Sequence, residues 1–203
     1  MAKAIRLVHT AQVHVARFDA LRDAIAPDVT LTHVVRPDLL DRARVEGVTD
    51  PIRAELISEL ALDDPDPTIC TCTTLGPAAE AAGAIRIDRP MMDKAAKLGG
   101  RVLLAVVLES TVAACQDALG ASIQAAGTGT QIDTLVMPSA WPLFESGDMD
   151  GFAQFIADRV NAHLSDHSAV VLAQVSMTDA AGRIDHPTVL TAPELTLRFA
   201  LGA

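Results

Sequence analysis

Arg101-Val102-Leu103-Leu104-Ala105-Val106-Val107-Leu108 is an almost unbroken apolar run. A strand with one face in water alternates apolar and polar residues, whereas a strand covered on both faces does not. The run is short for a helix, rich in Val and Leu, and closed by Glu109-Ser110-Thr111. It reads as a central strand of a parallel sheet, with helices above and below.

Outward from this strand, the pattern alternates between strand and helix in both directions. Downstream, a helix is expected over 111–126, a strand over 131–137, a helix over 151–164, a buried strand over 169–173, a strand over 187–190 and a closing helix over 192–201. Upstream, a helix starts at Pro90 after a strand over 85–88, and an Ala-rich helix follows Pro77. A short strand contains Ile69, and helices occupy 51–62 and 39–44. A strand covers 29–35, a helix runs through Phe18, Leu21 and Ile25, and the first strand covers 4–8. Trp141-Pro142 falls in a loop. The expected fold is α/β, in two Rossmann-like parallel-sheet halves with helices on both faces and the site in the cleft between them. The expected division is 1–98, 99–190 and a closing segment 191–203.

Composition narrows the function. Of 203 residues, 50% are hydrophobic but only 3% aromatic, with no Tyr, so the core is aliphatic. The net charge of −10 argues against a nucleic-acid or anionic-membrane partner. No apolar run reaches the roughly 18 to 20 residues that span a bilayer. Three cysteines make no disulfide framework, and the expected location is cytoplasmic. There is no phosphate loop, no dinucleotide-binding glycine pattern and no nucleophile elbow, so no cofactor is expected. The His and Cys spacing fits no metal site, although Cys70-x-Cys72 leaves a redox or metal pair open.

In open parallel sheets, ligands bind beyond the carboxyl ends of the strands. Four such ends carry reactive or polar residues: His9-Thr10, Cys70-Thr71-Cys72-Thr73-Thr74, Ser110-Thr111 and Gln174-Val175-Ser176. Cys72 sits where a strand hands over to a helix, a junction whose N–H groups and dipole favour a thiolate. Its alternative is a small apolar residue at a strand end, and Cys70 reads as packing. His9 either orients or deprotonates the thiol, or faces solvent from a loop. Thr73, Thr74 and Thr111 are carboxylate ligands, helix N-caps or both. His14 and His33 read as structural. His163 and His167 read as helix-end or surface residues.

These strand ends resemble the aspartate/glutamate racemase superfamily, which includes hydantoin racemases, maleate isomerase and arylmalonate decarboxylase. Cys72-Thr73-Thr74 matches the family's first cysteine motif, and Thr111-Val112 matches the second member of its central Thr pair. His9-Thr10 stands where glutamate racemases carry Asp-Ser. The second cysteine motif, Leu-Gly-Cys-Thr-His, is replaced by Leu172-Ala173-Gln174-Val175-Ser176, which most simply puts Gln174 at the cysteine and Ser176 at the His, while a one-residue slip brings Ser176 closer to the cysteine position. The resemblance implies a cofactor-independent isomerase- or decarboxylase-like enzyme acting on a small carboxylate, as a homodimer. Its catalytic residues would be Cys72, Ser176 and His9, and its substrate ligands Thr10, Thr73, Thr74, Ser110, Thr111 and Gln174. The alternative is a catalytically silent carboxylate-binding protein of the same fold.

Overall fold

A computed structural model describes residues 4–61, 63 and 66–202. The chain divides into two compact units, residues 1–87 with 193–203, and residues 88–192. The first crossing therefore falls at 87/88 rather than the expected 98/99, because the helix that follows packs on elements of the second unit. The second lies at 192/193 rather than 190/191, so the closing helix belongs to the first unit.

Unit 1 contains β1 (Ala4–His9), α1 (Val13–Ile25), β2 (Thr30–Val35), α2 (Pro37–Glu46), α3 (Asp50–Leu60), β3 (Thr68–Cys70), α4 (Gly76–Ala81) and β4 (Ile85–Arg86). All strand pairs are parallel, in the order β2-β1-β3-β4. On one face, Val8, Cys70 and Cys72 pack with Leu39 of α2, Ile52 and Leu56 of α3 and Ala79 of α4. Side chains alternate along a strand, and His9 turns the other way, its ring 5.6 Å from that of Phe18 in α1. Leu62, expected to end the helix now seen as α3, lies outside the described residues, as do Asp64 and Pro65 of the following loop.

Unit 2 repeats the plan with α5 (Arg89–Leu98), β5 (Arg101–Val106), α6 (Val112–Ala126), β6 (Gln131–Val136), α7 (Trp141–Glu145), α8 (Met149–Asn161), β7 (Ala169–Leu172) and β8 (Val189–Thr191). Its order is β6-β5-β7-β8, again all parallel. Leu103 and Ala105 pack with Phe152, Ile156 and Val160 of α8 on one face. The alternate residues Val102, Leu104 and Val106 are fully buried too, as a strand covered on both sides requires. Trp141 and Pro142 lie in a short helix rather than the expected loop: Trp141 stacks on Phe144, and its Nε1 donates to Glu145. His167 is buried, not superficial, because Asp133 and Ser165 take its two ring nitrogens. His163 does serve a helix end, bonding the Arg159 carbonyl.

The final helix, α9 (Ala192–Leu201), is mostly part of unit 1. Thr196 donates its hydroxyl to the carbonyl of Ile87 at the end of β4, fixing the returning chain. Among the described residues, no helix is long and apolar enough to cross a membrane.

Candidate active site

In each sheet the chain winds one way from its first strand and the other way from its third, so a crevice opens at their carboxyl ends. In unit 1 that point lies between β1 and β3, where Val8 pairs with Cys70. Continuing the register places His9 beside Thr71 and Thr10 beside Cys72. The side chains confirm both steps. His9 Nδ1 lies 2.8 Å from Thr71 Oγ1, and Thr10 hydrogen-bonds Cys72 through its side chain.

Cys72 is 6% exposed. Burial pushes its thiol pKa up; the Thr10 hydroxyl, the N–H groups of Leu75 and Thr74 and the Thr74 hydroxyl pull against that rise. The N–H groups come from the turn between Thr73 and Gly76, where Gly76 N–H returns to the Thr73 carbonyl. From the sequence, the following helix is expected to favour the thiolate. Instead α4 begins four residues later and spans only six, and the net direction is upward. Desolvation of a charge outweighs a few donors here. The thiol is therefore a protonated acid at rest, surrounded by groups that can receive the thiolate once the proton has left.

His9 is fully buried at the end of β1, not a solvent-facing loop residue. Burial, with His14 and His33 adding to it, holds its pKa down at about 3, so the ring is neutral near pH 7. Both ring nitrogens are taken, Nδ1 by Thr71 and Nε2 by His33 Nδ1 at 2.9 Å. Neither of these bonds reaches Cys72. The far nitrogen of His33 lies 3.3 Å from Asp19 Oδ1. Thr71, His33 and Asp19 were not singled out as site residues by sequence. The usable signal was the alternation of Cys70, Thr71 and Cys72, which puts Thr71 on the α1 face.

Unit 2 has the matching crevice between β5 and β7. Ala105 pairs with Leu172, so Val107 and Gln174 occupy the positions that Thr10 and Cys72 hold in unit 1. There the Gln174 Oε1 accepts the Val107 N–H at 2.6 Å. Ser176 takes the position equivalent to Thr74 and is buried in a 3-10 stretch, Val175–Arg183. Thr111 donates its hydroxyl to Leu108 O at 2.7 Å rather than capping α6. Thr73 and Thr74 do not cap α4 either, since its N-cap residue is Leu75. Ser110 is exposed on the 3-10 turn Glu109–Thr111. Unit 1 thus brings Thr10, Cys72 and Thr74 together, with His9 directly behind them on the other face. Unit 2 collects Gln174, Ser176 and Thr111 at its own strand edge. Cys115 is buried in α6.

Two solved structures share this architecture over nearly the whole chain. Picrophilus torridus aspartate racemase superposes with a TM-score of 0.72 at 16% identity, covering 99% of this chain and 95% of that one. Allantoin racemase from Pseudomonas fluorescens gives 0.61 at 12% identity, with 98% and 89% covered. The fold is that of these racemases. No family model and no curated protein sequence matches the chain.

Proposed function

We propose that this chain is a cofactor-independent enzyme of the aspartate/glutamate racemase type, in which Cys72 transfers a proton to the α-carbon of a small carboxylate. The observation that carries the reading is the Cys72 cradle: a buried thiol touching two hydroxyls and two backbone N–H groups at the crevice of unit 1. The racemase fold supports it. Such a thiol is suited to act first as an acid.

In the decarboxylase-like version, the bond from the α-carbon to one carboxylate breaks and carbon dioxide leaves. The electron pair spreads into the remaining carboxylate as an enediolate. Cys72 Sγ–H then protonates the carbon, and the thiolate regains a proton from solvent. Thr10, Thr73 and Thr74 are the proposed substrate ligands at the unit 1 crevice, beside Cys72. Gln174 stands at the second cysteine's position, and neither it nor Ser176 ionises near neutrality, so two-base racemisation is not expected. Cytoplasmic location and homodimer formation belong to the same proposal. The upward push on the thiol also suits the alternative, a silent carboxylate-binding protein.

The test is a substrate panel of aspartate, glutamate, hydantoins and disubstituted malonates in heavy water, read by α-deuteration, optical rotation and carbon dioxide release. One-sided label incorporation, abolished in Cys72→Ser, is the expected outcome. Efficient two-way racemisation by the unmodified chain would overturn the single-thiol mechanism. Ligand binding without turnover on any member of the panel would establish the binding protein.

A further inference from the structure

Behind the Cys72 cradle, on the opposite face of the sheet, lies a continuous line of polar atoms. Asp19 Oδ1 is 3.3 Å from His33 Nε2, and His33 Nδ1 is 2.9 Å from His9 Nε2. His9 Nδ1 is 2.8 Å from Thr71 Oγ1, which is also 3.2 Å from the Val8 carbonyl. The line runs from a half-exposed carboxylate on α1 to a fully buried ring. Its inner end, the His9–Thr71 pair, immediately precedes the Thr10–Cys72 pair on both strands.

Each contact needs one hydrogen, and with Asp19 accepting and His9 kept neutral by its burial two arrangements remain, which differ in whether the Thr71–Val8 hydroxyl contact is made. In the proton-poor arrangement, the Thr71 hydroxyl donates to His9 Nδ1, His9 Nε2–H donates to His33 Nδ1, and His33 Nε2–H donates to Asp19. The Val8 carbonyl then keeps only the Thr71 backbone N–H, at 2.9 Å. In the proton-rich arrangement, His33 donates from both nitrogens, to Asp19 and to His9 Nε2. His9 donates from Nδ1 to Thr71, whose hydroxyl turns to the Val8 carbonyl. The two differ by one proton exchanged with solvent, and in both His9 stays neutral.

We propose that Asp19, His33, His9 and Thr71 form a positioning device for Cys72, in which one proton on the histidine pair sets the direction of the Thr71 hydroxyl. With the hydroxyl on Val8, Thr71 is clamped to β1 by two bonds, and the Thr10–Cys72 contact one residue further on is held with it. With the hydroxyl on His9, one of those bonds is released. The groups around the pair belong to the same balance. They are His14, 6.3 Å from His9 between ring centres, with Arg17 beside it on α1, and Arg22, 3.4 Å from Asp19. The link to catalysis rests on the proposed role of Cys72; the proton arrangement itself does not.

The direct test is 15N NMR of the histidine rings in the intact protein between about pH 5 and 9. The expected result is a change of His9 tautomer, Nδ1–H at the acid end and Nε2–H at the alkaline end. A single His9 tautomer across the range overturns the proposal. The second measurement is the pH profile of Cys72 alkylation by iodoacetamide, resolved by peptide mass. Thr71→Val and His33→Gln should each remove a step from the wild-type profile and change the rate at least about twofold, the scale of one hydrogen bond. Profiles identical to wild type in both variants overturn it as well. A tautomer switch with no turnover on any carboxylate would sink the enzyme reading and leave the proton arrangement standing; turnover with a fixed His9 tautomer would do the reverse.

Discussion

The Thr10 hydroxyl and the Cys72 thiol are the residue pair on which reactivity turns. Burial alone raises a thiol's pKa, and the first force opposing that rise is the Thr10 hydroxyl. Thr10→Val keeps the volume and removes the donor, so the pKa should climb further and the thiolate fraction at a fixed pH should drop. Iodoacetamide modification of Cys72 at about pH 8 should slow by about two- to tenfold, the range of one hydrogen bond. Unchanged or faster modification would mean that the hydroxyl does not stabilise the thiolate. Cys72 could be found from the sequence through its Thr neighbours and its family resemblance. The line behind it could not, because residues 9, 19 and 33 lie in β1, α1 and β2 and Thr71 follows β3, so that they meet only in the folded unit.

At the scale of elements, α4 shows how closely the loop after β3 is confined. Gly76 opens this helix over the buried side chain of Arg86 in β4. A Cβ at Gly76 would lie 3.0 Å from Arg86 Nε and 3.1 Å from its Cγ. The arginine is enclosed and cannot swing clear, so Gly76→Ala should move the first turn of α4 and the turn donating to Cys72. A loss of about 1 to 3 kcal/mol is expected in urea unfolding, the usual cost of overpacking. Stability equal to wild type would show that the arginine yields freely. The strands and long helices were legible in the sequence because burial on one or two faces imposes a period on it. Trp141 to Glu145 was not, since a single turn of helix after a Pro leaves no period to count. Nor was the upward shift of Cys72, which depends on how deeply the strand end is covered.

For the molecule as a whole, the buried histidines set its response to acid. His9 titrates at about 3 and His14 at about 4 when folded, against 6.5 for the free ring. Below 6.5 the unfolded chain therefore binds protons that the folded chain refuses at these sites, and acidification favours unfolding. The thermal midpoint should fall as pH drops from about 6.5 toward 4, and His14→Gln should flatten that slope relative to wild type. A variant as acid-sensitive as the parent would show that these rings do not control the loss. The repeated sheet order has a further consequence through the route of the chain. Unit 2 is contained wholly within residues 88–192, whereas unit 1 needs residues 193–203 to receive the Thr196 bond to Ile87. During vectorial synthesis the inner unit can close while the outer one still waits for its last helix. Of the two units, the one that carries Cys72 begins to emerge before the other and is completed after it.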